Sequence, residues 1–393
     1  MSCSHNRLGH VLPAPTNEVS RHSAGDTQTQ AAPHDPLPAH HPGTPLMGHV
    51  VITTVRNEAA FVLEWLAHHR AVGVDHFVVF SNDCDDGTDD MLDHLASHGW
   101  LTHLRNPGPY DKAGIQFTAL KQAARLDVVR AADWLLVMDV DEFVNIHTGD
   151  GTFAALHAAL PDATAITLTW RLFGNNGQVR YEDRPVTELF DRAAPEVLHW
   201  PWRAAMFKTL YANDGTYKKP GVHRPRAPDP DRIDAAQWFD GHGRRLDPQF
   251  RTKRVFSNFG QPVHGLVQLN HYPLGAVESY VIKVDRGRVN RTERLGADYW
   301  VERNFDSVED RSIRRYDSAR DTHLTALRAD PTLSGLHAAG VAWRKARFET
   351  LMEDEQNRAL FGRLLMTPPA RPLSSEAAQL LMTYGRKTRS QDT

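Results

Sequence analysis

Trp134-Leu135-Leu136-Val137-Met138-Asp139-Val140-Asp141-Glu142-Phe143-Val144 runs five apolar residues straight into a cluster of three carboxylates. A short apolar run bounded by polar residues predicts a strand covered on both faces, and ligands of open α/β sheets bind just beyond the carboxyl ends of such strands. Two aspartates one residue apart offer hard oxygen ligands to a divalent cation, and a cation there would hold a diphosphate. The stretch thus points to an enzyme on an α/β scaffold.

Outward from this run, strand and helix patterns alternate, which argues for βα units around a mostly parallel sheet. His49–Val55 reads as a first strand, and Glu58–Val72 as a helix with Val62, Trp65, Leu66, His69 and Val72 on one face. His76–Ser81 follows as a strand, then a helix capped at Thr88 that stops before Gly99. Trp100–Leu104 gives a third strand, Ile115–Ala131 a long helix, Phe153–Leu160 a short helix and Ala165–Phe173 a further strand. Beyond residue 300 the pattern is helical, with Leu324, Leu327, Leu351, Leu360, Phe361 and Leu364 as core candidates.

The chain has 393 residues, 41% of them hydrophobic and 9% aromatic, enough to bury a real core. A formal charge of -3 offers no basic field for nucleic acid or an anionic membrane. Cys3 and Cys84 are the only cysteines, which excludes a disulfide framework and fits a reducing, cytoplasmic setting. No apolar stretch approaches the roughly 18 to 20 residues that span a bilayer. Residues 1–46 contain no hydrophobic segment of a signal peptide, no Phe, Trp or Tyr, and seven of the 24 prolines, so disorder is expected there. Their six histidines read as solvated low-complexity sequence. Folded sequence begins abruptly at Met47-Gly48-His49-Val50, which makes Met47 a candidate start. The expected organisation is a disordered segment at 1–46, a catalytic domain at 47–300 and a helical extension at 301–393. Basic Arg386, Lys387 and Arg389 would give weak peripheral attraction to a membrane face and no anchor.

Three ordered motifs, Thr54-Val55-Arg56-Asn57-Glu58, Ser81-Asn82-Asp83-Cys84-Asp85-Asp86-Gly87-Thr88 and Met138-Asp139-Val140-Asp141-Glu142-Phe143, together resemble the family 2-like glycosyltransferases, closest to the bacterial branch related to family 92. The likeness continues through Trp170-Arg171-Leu172-Phe173-Gly174, Gly221-Val222-His223-Arg224-Pro225, Asn270-His271-Tyr272 and Lys283-Val284-Asp285-Arg286-Gly287, spanning roughly residues 48 to 290. The resemblance implies a GT-A fold, a nucleotide-diphospho-sugar transferase sandwich with a mostly parallel central sheet, and inverting transfer from a nucleotide sugar to a glycan or other hydroxyl acceptor. A UDP-sugar is the default donor and Mn²⁺ or Mg²⁺ the cofactor it implies. Cys84 stands where the family usually has serine.

Roles follow residue by residue. Arg56, Asn57 and Glu58 sit where a first βα loop meets a nucleotide and can read base or ribose by hydrogen bonds. The resemblance assigns the nucleoside contact to Asp83, with Asp85 as second choice. Lys112, just before a helix N-terminus, would approach phosphate oxygens. Asp141 is the expected direct metal ligand, Asp139 holds ribose or a metal-bound water, and Glu142 is a third oxygen donor or a partner that orients the ligands. A histidine completes the metal shell in such enzymes, and His271, ending an apolar run, is preferred over His223. Lys283, Arg286 and Arg288 could clamp the pyrophosphate. Inversion needs a general base outside the metal shell, and Asp240 and Asp183 are equal candidates.

Three other readings compete. A sugar nucleotidyltransferase shares the sheet and cation but opens with a Gly-rich loop, where this chain has Arg56-Asn57-Glu58-Ala59-Ala60. A glycan-binding or regulatory protein on a non-catalytic GT-A fold would have no need of intact Asp139 and Asp141. A haloacid-dehalogenase-type phosphatase normally places Thr or Val where this chain has Phe143.

Overall fold

A computed structural model describes residues 48–108, 110, 114–287 and 296–389, the side chains of 385–389 excepted. The expected disorder of 1–46, the candidate start Met47, Lys112, Arg288 and the basic side chains at the C-terminus lie outside what is described. Among the described residues the central sheet has nine strands: β1 (His49–Val55), β2 (His76–Ser81), β3 (Thr102–Arg105), β4 (Trp134–Val137), β5 (Glu142–Ile146), β6 (Ala165–Leu172), β7 (Phe207–Ala212), β8 (Trp238–Asp240) and β9 (Val267–His271). Their order is β3-β2-β1-β4-β7-β6-β9-β5, with β8 beside the first half of β6. Parallel pairing joins β1 to β2 and β4, β2 to β3, and β6 to β8 and β9, while β7 and β5 run antiparallel to their neighbours. This mostly parallel sheet between helical layers is the GT-A arrangement.

The deciding stretch is two strands. After Val137 the chain turns through Met138 to Asp141, where Glu142 N–H donates to Asp139 O at 3.1 Å, and it emerges as β5 at the far end of the sheet. Val137 to Glu142 reaches at most about 18 Å when fully extended, and this segment contains a turn. Three strands separate β4 from β5 in the order, about 19 Å across a flat sheet. The sheet therefore has to curl, which brings both strands to one cluster of acids.

Helices cover both faces. On one, α1 (Val62–Val72) and α2 (Thr88–Ser97) bury Trp65, Leu66, Met91 and Leu92 against Phe77 and Val79, and the C-terminal helix Asp317–Ala329 joins the same core through Leu324 and Leu327. On the other, α3 (Ile115–Ala123) buries Ala119 and Leu120 with Phe207, Tyr211 and Trp238. Two helices came out shorter than the sequence pattern predicts. The first begins at Val62 because Asn57 takes left-handed backbone and Glu58–Phe61 form a turn. The Ile115–Ala131 segment breaks at extended Leu126, which lets Leu126 and Val129 both reach the core. Among the described residues no helix is long and apolar enough to cross a membrane.

β5 pairs with β9 on one side only, and side chains satisfy the backbone of its other edge. Trp65 Nε1–H donates to Glu142 O (3.0 Å), His68 Nε2–H to Val144 O (2.8 Å), and Tyr316 Oη accepts from Ile146 N (3.0 Å). Val144 N–H in turn donates to His69 Nε2 (3.3 Å), whose Nδ1–H donates to Trp65 O (2.8 Å). The role of His69 requires a neutral imidazole, since a proton on its Nε2 would face another N–H. Burial lowers His68 from 6.5 to about 4 and His69 well below 6.5, with His68 adding repulsion to the latter. A histidine depressed in the folded state contributes stability above its unfolded pKa that is lost as the pH falls through the folded one; for His68 this is on the order of 3 kcal/mol. Resistance to urea should therefore drop between pH 6.5 and 4. A His68→Gln/His69→Gln variant, whose amides keep a donor and an acceptor without titrating, should lose less across that interval; identical slopes would exonerate the two histidines.

Candidate active site

The parallel strands β1, β2, β4, β6 and β9 all end on one edge of the sheet, and antiparallel β7 and β5 begin there. That geometry gathers Asp139 and Asp141 from the turn after β4, Glu142 from the start of β5, Lys208 from the start of β7, Trp170 from the end of β6 and His271 from the end of β9. Asp139 accepts from Lys208 Nζ at 3.1 Å and from Gln116 Nε2 of α3 at 3.1 Å. Asp141 accepts from Lys283 Nζ at 2.8 Å, and its other oxygen lies 3.7 Å from His271 Nε2. Glu142 is fully buried: it accepts from the Asp139 backbone N–H (2.8 Å) and from Trp170 Nε1–H (2.6 Å), with Lys208 Nζ at 3.6 Å.

Three acids this close hold together because two lysines lie among them. Lys208 is fully buried; desolvation alone would lower its pKa, but Asp139 and Glu142 outweigh it and raise it. Burial likewise works against Lys283 and loses to Asp141. Asp141 is itself raised by burial but held well below the usual carboxylate range by Lys283 and His271. Glu142 goes the other way, pushed to about 8 by burial and by Asp139 and Asp141, against the pull of Lys208. His223 is lowered to about 4 by burial and by Lys208, and burial lowers His271 despite Asp141. The Trp170 ring lies between the two histidines, its centroid 4.4 Å from His271 and 5.8 Å from His223.

The first two βα loops lean on each other. Asn57 and Asp83 both take left-handed backbone, at φ 55° and 47°, which asparagine and aspartate tolerate better than most residues. Asn57 is buried and accepts from the Asp85 N–H at 2.7 Å, so its amide positions the loop. Asp86 accepts from Ala59 N and Thr88 N, and Thr88 Oγ1 accepts from Glu58 N; that hydroxyl ties the loops together where an N-cap role was expected, and Gly87 occupies the cap position. Glu58 pairs with Arg286, which also donates to Arg56 O at 2.6 Å, while Arg56 returns a bond to Arg286 O at 3.2 Å. Asp83 and Asp85 stay exposed, Asp83 accepting from Tyr110 Oη–H at 3.0 Å.

A cleft of about 860 Å³ opens beside Asp141, walled by Asn57, Glu58, Phe61, Tyr181, Lys283 and Arg344 among others. The structure does not bring the two expected bases to it. Asp240 is 1% exposed and its oxygens are committed to Arg244, through Nε at 2.9 Å and Nη2 at 2.7 Å, and to the N–H groups of His242 and Arg244. It pairs in register with Thr167, three residues before Trp170 on β6. Asp183 turns to His337 at 2.9 Å and Arg328 at 3.8 Å, while its neighbour Glu182 lines the cleft. Lys208 is the residue the sequence reading missed; its one signal was a lysine inside the apolar strand Phe207-Lys208-Thr209-Leu210-Tyr211.

For a divalent cation, Asp141 Oδ1 and His271 Nε2 form an oxygen and nitrogen pair at ligand spacing, open to the cleft on the Asp141 side. These two fit such an ion. Asp139 stands back, with both oxygens bonded to Gln116 and Lys208. His223 directs Nδ1 to Phe207 O at 3.1 Å.

Residues 50–226 match the family model of glycosyltransferase family 92. A family 92 protein of Oryza sativa subsp. japonica is 24% identical over 273 residues, covering 67% of this chain and 40% of the relative. One from Ricinus communis is 27% identical over 101 residues, 25% of this chain and 17% of its own length. The chain thus spans well under half the length of these curated relatives. Among solved structures, S. aureus TarS 1–349 in complex with UDP aligns over 78% of this chain and 92% of its own at 12% identity and a TM-score of 0.31.

Breaking a buried ion pair from one side costs about 3 to 5 kcal/mol because the partner charge is left stranded. Lys208→Met should therefore lower stability to urea by about 3 kcal/mol, and adding Glu142→Gln should restore part of it by removing one stranded carboxyl. Additive losses in the double variant would mean that Lys208 and Glu142 are not coupled.

Proposed function

Since residues 50–226 are a glycosyltransferase family 92 domain, we propose that this chain moves a sugar from a nucleotide sugar, UDP-linked by default, to a hydroxyl of a glycan or other acceptor, with inversion and with a divalent cation as cofactor. One observation carries the reading: Asp139, Asp141, Glu142 and His271 meet two buried or half-buried lysines at the edge of the sheet where nucleotides bind. Asp141 and His271 would hold Mn²⁺ or Mg²⁺, and the ion would act as a Lewis acid on the diphosphate leaving group.

The remaining work falls to the chain's own side chains. Lys283 stands on Asp141 and also donates to Pro273 O at 2.7 Å, so an ammonium is fixed where negative charge develops on the leaving group. Lys208 and Gln116 hold Asp139 in position to accept from a ribose hydroxyl or an ordered water. Among the described residues Glu58, Asp141 and Glu182 are the carboxylates lining the cleft; Glu58 is paired with Arg286 and Asp141 with Lys283. Glu182, with Arg184 only at 3.7 Å, is therefore assigned the proton of the attacking hydroxyl.

UDP with Mn²⁺ should raise the melting temperature of the wild-type chain, and Asp141→Ala should remove the metal-dependent part of that rise. A ligand shift unchanged in the variant would take Asp141 out of the metal site. Slow release of UDP from a donor sugar should stop in excess EDTA, and full hydrolysis there would overturn the metal mechanism.

A further inference from the structure

A second pocket, open to solvent on one side, lies against β6, its walls drawn from Trp170, Arg171, Leu198, Asn258, Phe259 and His264 among others. Arg171 is 7% exposed, yet its guanidinium makes no hydrogen bond among the described residues: Nε is buried without a partner. The nearest carboxylate, Asp310, stands 4.0 Å away with its oxygens already accepting from Gln268 Nε2 at 2.9 Å and Ser312 N at 3.0 Å. A buried guanidinium nitrogen without an acceptor is costly, and the planar fork matches a carboxylate through two parallel bonds. Beside it His264, 5% exposed, donates Nε2–H to Trp170 O at 3.3 Å, which leaves Nδ1 as a buried acceptor with no donor.

Glu196 also lines the cavity and acts on Arg171 through space; the buried wall thus holds one unpartnered Arg171 nitrogen and one unsatisfied acceptor, the complement of a molecule carrying both a carboxylate and a hydroxyl. Phe259 at the rim is 41% exposed and packs against His199 at 5.1 Å, a flat apolar surface for the C–H face of a pyranose. Burial holds His264 down at about 3 and Arg171 reinforces this, so the histidine adds no second positive charge. A singly charged carboxylate therefore matches the site better than a phosphate dianion. Trp170 borders this cavity and donates its indole N–H to Glu142 of the acidic cluster.

We propose that this cavity binds a carboxylate-bearing sugar, a uronic acid unit, with Arg171 on the carboxylate, His264 Nδ1 accepting from a ring hydroxyl and Phe259 against the ring. It is an acceptor-side subsite that selects acidic glycans. That assignment to the acceptor rests on the transfer reading above; the binding itself does not.

Calorimetric titration of the full chain with glucuronate, glucose and inorganic phosphate, without UDP or metal, tests the binding separately from the donor site. Glucuronate should bind at least about tenfold tighter than glucose, the scale of a charge-assisted bidentate contact. Arg171→Gln should erase that preference. Phe259→Ser, at an exposed position that folding tolerates, should weaken both sugars several-fold and leave the preference intact. If Arg171→Gln does not fold, Arg171→Lys replaces it and should retain only part of the preference. No glucuronate binding by wild type, equal affinity for glucose, tighter binding of phosphate, or an undiminished preference in the Arg171 variants would each overturn the proposal.

Discussion

The site depends on how an edge strand is held without a neighbour. An open strand edge exposes unpaired N–H and C=O groups, and burying them unsatisfied would cost several kcal/mol. In β5 the outer edge is closed by Trp65, His68 and His69 from α1 and by Tyr316 from the C-terminal region. Each of these bonds has a fixed partner on the backbone, so register as well as position is set. Glu142 is the first residue of that strand and Asp141 the residue before it. The placement of the acids is thus a consequence of aromatic and imidazole side chains on the strand's far side, none of which touches the cleft.

Electrostatics then determines which acid does what. Three carboxylates within four residues cannot all ionise in a desolvated cluster unless cations share it. Lys208 serves Asp139 and Glu142 from below and Lys283 serves Asp141 from the side. The result is a division: Asp141 is held firmly as carboxylate at the cleft, whereas Glu142, sealed between the Asp139 backbone and Trp170, is pushed toward its neutral form. Glu142 acts as a strut that fixes the turn and the Trp170 ring, the orienting one of the two roles expected from the sequence.

Much of this was legible locally. The apolar run before Asp139 and the βα alternation to residue 173 follow from patterns within a few residues of each other, and the alternation puts the loops of Asn57, Asp83 and Asp139 at one edge of the sheet. Lys208 was not, because its place depends on the register of an antiparallel strand against β6, where Lys208 pairs with Leu168. The split of Trp134–Val144 into two strands was hidden as well, since the turn Met138–Asp141 contains neither glycine nor proline. Asp240 drew attention through its aromatic, glycine-rich surroundings, yet Arg244 four residues on already signalled a paired carboxylate. Between Glu182 and Asp183 no periodicity could choose, because they lie outside helix and strand and only tertiary packing decides which one faces the cleft.

The helices beyond residue 300 form part of the cleft's support. The helix Val277–Arg286 carries Lys283 and Arg286, and Arg347 from the helix Pro331–Leu351 grips its Asp285 at 2.7 Å. In the same long helix Arg344 lies 4.7 Å above the Phe61 ring and 5.3 Å from that of Tyr181, two cleft-lining aromatics. Four residues earlier Gly340 meets the first loop so closely that a Cβ there would stand 2.5 Å from Ala59 Cβ. That helix therefore reaches the Arg56–Ala59 loop only because a glycine faces it, and the loop reaches Arg286 in turn through Glu58. The Arg56–Ala59 loop, the lysine-bearing helix and the C-terminal helix are one packed unit, so displacement of the last is transmitted to the ammonium beside Asp141.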